Sequence, residues 1–332
     1  MHAALIALLA VGGWIVPWQK EAGLASVERA SGRLSDVLVF AARLDRDGHP
    51  VLEGSADEWA KVVERVHAAE ARVWLTVVND RVGGGPTVLK DADIVHRLIG
   101  DADSRAAHAA EIVALAKGLR VDGVDIDYEN LPVSERENVT AFARELRDAT
   151  RAAGLRLSIT VQPKRGESSS KGPGASEWRE LCRIADRVQV MLYNEHNAST
   201  GPGPVASPAW VENVARYALS VCPADKVVPV LKVSGMDWGP AKADWRSHPE
   251  VTALRDKVKP KLKRERGTKV PWFAYHAPEG RHVVYFEDAS SLEVKAKALR
   301  KLGLDHVVLW SLGSEDPEAV ERLATKKRSD PS

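Results

Sequence analysis

The chain has 332 residues, enough for one large α/β barrel or two ordinary domains. Hydrophobic residues make up 44% and charged residues 28%, which is ordinary for a soluble globular protein. The formal net charge of +1 excludes bulk electrostatic attraction to nucleic acid or acidic membranes.

The first 13 residues, M-H-A-A-L-I-A-L-L-A-V-G-G, hold an apolar core of secretory-leader length with no Lys or Arg before it. Residues 1–13 are read as a signal peptide or as a misplaced or truncated start, with export favoured. Gly12-Gly13 interrupts the run too early for a membrane span. A first strand is expected at 14–18 and a helix at 19–34. A second strand follows at 36–42, a helix at 56–69 and a third strand at 73–78. A glycine-rich loop at 83–86 leads to helices at 91–98 and 106–119. The next apolar stretch, 121–130, is acidic and precedes a long helix at 134–153 with Ser134 as its cap. A fifth strand is expected at 155–161, a polar loop at 165–175, a helix at 177–185 and a sixth strand at 188–193. The Gly/Pro-rich stretch 199–208 cannot be regular, and a helix at 210–221 and a seventh strand at 227–233 come after it. The eighth strand is 305–310, between helices at 292–302 and 317–323.

Strands alternating with helices eight times predict a parallel (β/α)8 TIM barrel over residues 14–325. Such a barrel takes about 250 residues, so the chain has length to spare. The excess falls at 235–288, expected to be a small α+β insertion between strands 7 and 8 that walls a cleft. The tail at 326–332 is expected to be disordered. Cys182 and Cys222 have no metal-ligand spacing, so no zinc site is indicated. Each sits near the end of a predicted helix. A disulfide is geometrically conceivable, and two buried free thiols are the favoured reading.

The acidic stretch is V-D-G-V-D-I-D-Y-E-N. As a strand it has period two, so Asp125, Asp127 and Glu129 project to one face. Carboxylates that close cannot all ionise; protons must be shared and at least one pKa rises. Spacing alone leaves a divalent-metal site, a solvated turn and a catalytic cluster all open. Barrel enzymes gather their sites at the C-terminal strand ends. Those ends carry Trp18, Asn79, Glu129, Gln162, Tyr193, Asn194, Glu195 and Trp310. An aromatic-walled cup around one acid suits a carbohydrate. Ten tryptophans against four phenylalanines fit that reading, since indole rings stack on sugar faces.

D-G-V-D-I-D-Y-E resembles the D-G-x-D-x-D-x-E signature of the family-18 glycoside hydrolases, the chitinase-like group. M-L-Y-N at 191–194 is similar to that family's M-x-Y-D motif on the sixth strand. L-W-S-L-G-S-E-D-P at 309–317 resembles the last-strand motif of the spore-cortex and cell-wall branch. Residues 194–214 and H-V-V-Y-F-E-D-A-S-S at 282–291 look like the same branch. The resemblance implies hydrolysis of β-1,4-linked N-acetylglucosamine polymers, chitin or peptidoglycan, with the substrate assisting its own cleavage. Glu129 would be the general acid and base. Asp127 would hold the substrate acetamido group and share a proton with Asp125. Met191, Tyr193, Asn194, Trp310, Trp18, Asn79 and Glu195 would bind substrate. It implies no cofactor, no metal, no stable membrane association, a monomer, and action outside the cytoplasm.

Two positions depart from the pattern. Asn194 stands where the family has Asp, one negative neighbour fewer beside the acids. V-V-N-D at 77–80 replaces the S-x-G-G of many chitinases. The competing reading is a catalytically weak or silent sugar-binding relative, though such proteins typically lose the Glu that stands here as Glu129. A metal-dependent barrel enzyme would need histidines at strand ends, and His196 and His306 are poorly spaced for joint ligation.

Overall fold

A computed structural model describes residues 9–324, apart from residue 267. The first eight residues and the expected tail at 326–332 lie outside the described residues. Eight strands form the barrel: β1 (Ala10–Ile15), β2 (Leu34–Leu44), β3 (Arg72–Arg81), β4 (Gly123–Asp127), β5 (Arg156–Val161), β6 (Arg187–Met191), β7 (Val227–Lys232) and β8 (His306–Trp310). Each pairs in parallel with the next, and β8 pairs with β1, so the sheet closes. A short strand, Pro50–Leu52, adds antiparallel to β2. Helices cover the outside, several with clear start signals. Ser55, Asp91, Asp101 and Ser207 each accept a backbone N–H from the first turn that follows them.

The barrel interior is polar at its N-terminal end. Asp36 accepts from Trp74 Nε1 at 2.8 Å and faces Arg187, Arg72 and His306 at 3.2–3.3 Å. Burial alone would raise the Asp36 carboxyl, but His306, Arg187 and Arg72 outweigh it and hold the group well below the usual carboxylate range. The Arg187 guanidinium also lies 3.8 Å from the Trp74 ring centre, which stabilises a cation that has lost its water.

Between β7 and the helix Ala289–Lys301 lies a second, five-stranded antiparallel sheet. Its strand order is Ala243–Arg246, Gly235–Trp238, Gly280–Tyr285, Pro271–Ala277, Lys263–Arg264. The helix His248–Val258 packs on it around Val251, Phe273, Val284 and Phe286. Buried Asp237 ties this layer together, accepting from Tyr275 Oη and facing His282 Nδ1, each at 2.9 Å.

Three expectations are corrected. The first strand starts at Ala10, not Trp14, so residues 10–13 of the expected leader are barrel. Glycine ordinarily weakens a strand, but here it permits close approach. A Cβ on Gly12 would stand 2.9 Å from the Asp36 carbonyl oxygen, and one on Gly13 would stand 2.6 Å from Leu312 Cγ. Ser134 caps nothing: it lies inside a 3-10 turn, Val133–Glu135, and the long helix Arg136–Ala152 has no side-chain cap. Cys182 and Cys222 form a disulfide instead of two thiols. Helix packing brings their Cα atoms to 5.7 Å, inside bonding reach.

The 40-residue separation sets the expected worth of that bond. Replacing both cysteines by alanine should destabilise the fold by about 4 kcal/mol if chain entropy dominates. Urea unfolding of the variant against wild type, and of wild type with and without reductant, measures it.

Candidate active site

The central stretch behaves as its alternation requires. Tyr128 points outward, its hydroxyl 2.6 Å from His108 Nε2 and its ring stacked on Phe142. Asp125 points inward. It is fully buried and accepts from Thr76 Oγ1 (3.2 Å), Thr160 Oγ1 (3.0 Å) and Gln189 Nε2 (2.8 Å) on β3, β5 and β6. Burial raises its pKa against the pull of hydrogen bonds from Ser158, Gln189 and Thr160 and of the Arg187 charge. Asp127 lies one step higher and is 5% exposed. Burial first, then the charges of Glu129 and Asp125, push its carboxyl well above the usual range. Among the described residues its buried Oδ1 has no hydrogen-bond partner.

Glu129 follows β4 on a backbone held from both sides. Asn79 on β3 accepts the Glu129 N–H at 2.9 Å and donates to the Glu129 carbonyl at 3.0 Å. Gln162, after β5, accepts the Asn130 N–H at 3.0 Å and donates to the Asn130 side chain at 3.2 Å. The Glu129 carboxylate is paired with the Lys90 ammonium. Lys90 stands in left-handed backbone (φ 53°), and Asp80 accepts its N–H at 2.9 Å.

Asp127 and Glu129 open into a cleft of about 650 Å³. Trp310 lies on one side, with Trp14 and Phe40 edge-on at 5.5 and 5.1 Å between ring centres. Trp18, 60% exposed, continues the aromatic run outward against Phe40 at 5.9 Å. Met191 and buried Tyr193 also line the cleft. Burial, then Glu129 and Asp127, raise the Tyr193 phenol well above its usual value, so it keeps its proton. Asn194 is exposed on the same lining in left-handed backbone (φ 71°), a conformation Asn tolerates. The insertion contributes Trp245, which is 43% exposed. Among the described residues, no group of three or more His, Cys, Asp and Glu side chains could hold a metal ion.

Asp127, Glu129, Met191, Tyr193, Asn194, Trp18 and Trp310 therefore share one cleft. Two expected substrate residues do not. Asn79 spends its amide on the Glu129 backbone. Glu195 accepts the Ser207 N–H at 2.6 Å and the Ser207 hydroxyl at 3.0 Å, fixing the start of the helix Pro208–Val221. Sequence reasoning missed Phe40, Lys90, Lys232 and Trp245. A lone Lys closing the apolar run V-V-P-V-L was a usable signal for Lys232; Lys90 in its polar loop gave none.

Residues 85–316 match the family described as Glycosyl hydrolases family 18. The chain is 30% identical over 243 residues to the "Cortical fragment-lytic enzyme" of Bacillus subtilis, covering 70% of this chain and 54% of the relative. It thus spans about half the length of that relative. Among solved structures, a chitinase from Chromobacterium violaceum superposes with a TM-score of 0.82 at 26% identity, covering 95% of this chain and 98% of that one. The Bacillus cereus spore cortex-lytic enzyme SleL superposes with a TM-score of 0.84 at 23% identity, covering 97% and 76%. The latter is a likeness of fold.

The Asn79 clamp can be tested through stability. Asn79→Ala leaves the N–H and carbonyl of Glu129 without their partner and should cost about 1–3 kcal/mol in urea unfolding.

Proposed function

The chain belongs to glycosyl hydrolase family 18, and from that premise we propose that it cleaves β-1,4 links beside N-acetylglucosamine in chitin or peptidoglycan strands, with retention and substrate assistance. One observation carries the proposal: a clamped acid, Glu129, stands beside a proton-retaining carboxyl, Asp127, whose Oδ1 has no partner among the described residues, in a cleft lined by tryptophans. The missing partner matches an acetamido N–H.

In this reading a sugar stacks on Trp310 with its acetamido group between Asp127 and Tyr193. The acetamido oxygen attacks the anomeric carbon as Glu129 protonates the departing glycosidic oxygen. A cyclic oxazolinium results, and its charge is stabilised by Asp127. Glu129 then takes a proton from the water that opens the ring. Tethering the nucleophile to the substrate supplies an effective-molarity advantage without a second nucleophilic carboxylate. Asp125, one step below, shares the Asp127 proton, so that Asp127 can take up negative charge as the oxazolinium forms. The disulfide supports action in an oxidising compartment outside the cytoplasm.

The Lys90–Glu129 pair favours a second reading, a weak or silent sugar binder, because the ammonium occupies the carboxylate that must meet the glycosidic oxygen. Substrate entry must break that pair before Glu129 can act as an acid. Lys90 also holds the Asp127 carboxyl down against its burial and its acidic neighbours, so removing the cation favours protonated Asp127. The limb of kcat/KM that falls with rising pH should therefore lie at higher pH in Lys90→Met than in wild type. Superimposed pH–rate profiles refute this account of Lys90.

The acid itself is tested by Glu129→Gln, expected to lower turnover about 10²-fold or more while oligosaccharide binding survives. Wild type should give retained anomers from N-acetylated oligosaccharides and spare fully de-N-acetylated ones. Inverted product, or near-normal turnover by Glu129→Gln, refutes the mechanism.

A further inference from the structure

Lys232 ends β7 inside the cleft. Its Nζ lies 4.1 Å from the Trp245 ring centre, 5.7 Å from Tyr193 and 5.8 Å from Trp310. One ring from the insertion and two from the barrel thus box a single amine. Among the described residues it forms no ion pair and no hydrogen bond. Its charged neighbours are Lys90, which repels it, and Glu129, which Lys90 already engages. Burial and Lys90 together bring its pKa down to about 7.

The rings attract the ammonium but leave its N–H donors without acceptors. They are also the walls on which a glycan would lie. A neutral sugar sliding over Trp310 and Trp245 would strip the remaining water from the amine and return no charge. A sugar carrying a carboxylate would supply the missing counter-ion and restore the protonated form. We propose that Lys232 is a specificity-determining residue, selecting glycans that bear a carboxylate on the sugar lying against Trp310 and Trp245. The proposal rests on the glycan-hydrolase reading and narrows its substrate to acidic amino-sugar polymers. The carboxylate can belong to an ether-linked acid on the ring or to a peptide attached through that acid. A rival role, a neutral amine bonding a sugar hydroxyl, predicts equal effects on neutral and acidic glycans.

Four N-acetylated tetrasaccharides of one length separate these cases. The first is unsubstituted, the second carries free 3-O-lactyl acids, the third has them as neutral methylamides, and the fourth has alanine amide-linked to them. Wild type should favour a free-carboxylate form over the methylamide by about tenfold or more in kcat/KM. A preference for the second points to the ring-borne acid, and one for the fourth to the peptide carboxylate. Lys232→Met should abolish that preference and Lys232→Arg should keep it, with thermal melting confirming that both fold. Equal rates for charged and neutral forms in wild type overturn the proposal, as does an equal loss on all four in Lys232→Met. If nothing is cleaved, the hydrolase reading fails on its own. Tryptophan-fluorescence titration of the same four sugars into Glu129→Gln, with and without Lys232→Met, then still reads the charge preference.

Discussion

A carboxyl group buried at the centre of the barrel constrains most of what surrounds it. Asp125 has no access to water, so its oxygens need protein donors or the strand cannot settle. Those donors come from β3, β5 and β6, and Thr76 also accepts Trp14 Nε1 from β1 at 3.0 Å. A one-residue slip of β4 would turn Asp125 into the outer helical layer, where Tyr128 and Phe142 now pack. Register is therefore fixed by a polar contact, and the period of two then delivers Asp127 and Glu129 to the cleft. Fold and site share one constraint.

Above that layer the electrostatics are arranged in opposing pairs. Asp127 is pushed towards its neutral form by burial and by neighbouring acids, while Glu129 is faced by Lys90. Lys232 is pushed the other way, towards a neutral amine. Asp127, Glu129, Lys90 and Lys232 thus share one cleft whose lining includes several aromatic rings. Any sugar entering rearranges protons as well as contacts.

Much of this was legible in the sequence. Buried parallel strands read as continuous apolar runs, and seven of the eight were found near their observed positions. β1 was misplaced because glycine lowers strand propensity, whereas Gly12 and Gly13 serve close packing against Asp36 and Leu312. The acidic face was legible because alternation fixes direction without reference to neighbours. The uses of Asn79 and Glu195 were not: position at a strand end does not say whether a polar side chain serves a ligand or a neighbouring backbone. The Cys182–Cys222 bond depends on how two helices pack, which no local pattern encodes. Trp245 reaches the cleft only because the insertion folds back over the barrel mouth, a tertiary fact.

The early start of β1 bears on how the chain can be trimmed. Ala10 to Gly13 pair with His306 to Leu309, and these contacts join the first strand to the last. A protease cutting after Gly13, or a recombinant form begun at Trp14, would remove the seam that closes the cylinder. It would leave the edge of β8 unpaired, and exposed strand edges invite pairing with other chains. Leu9, just ahead of the strand, is itself buried in the core, so a cut that preserves the barrel must lie upstream of Leu9.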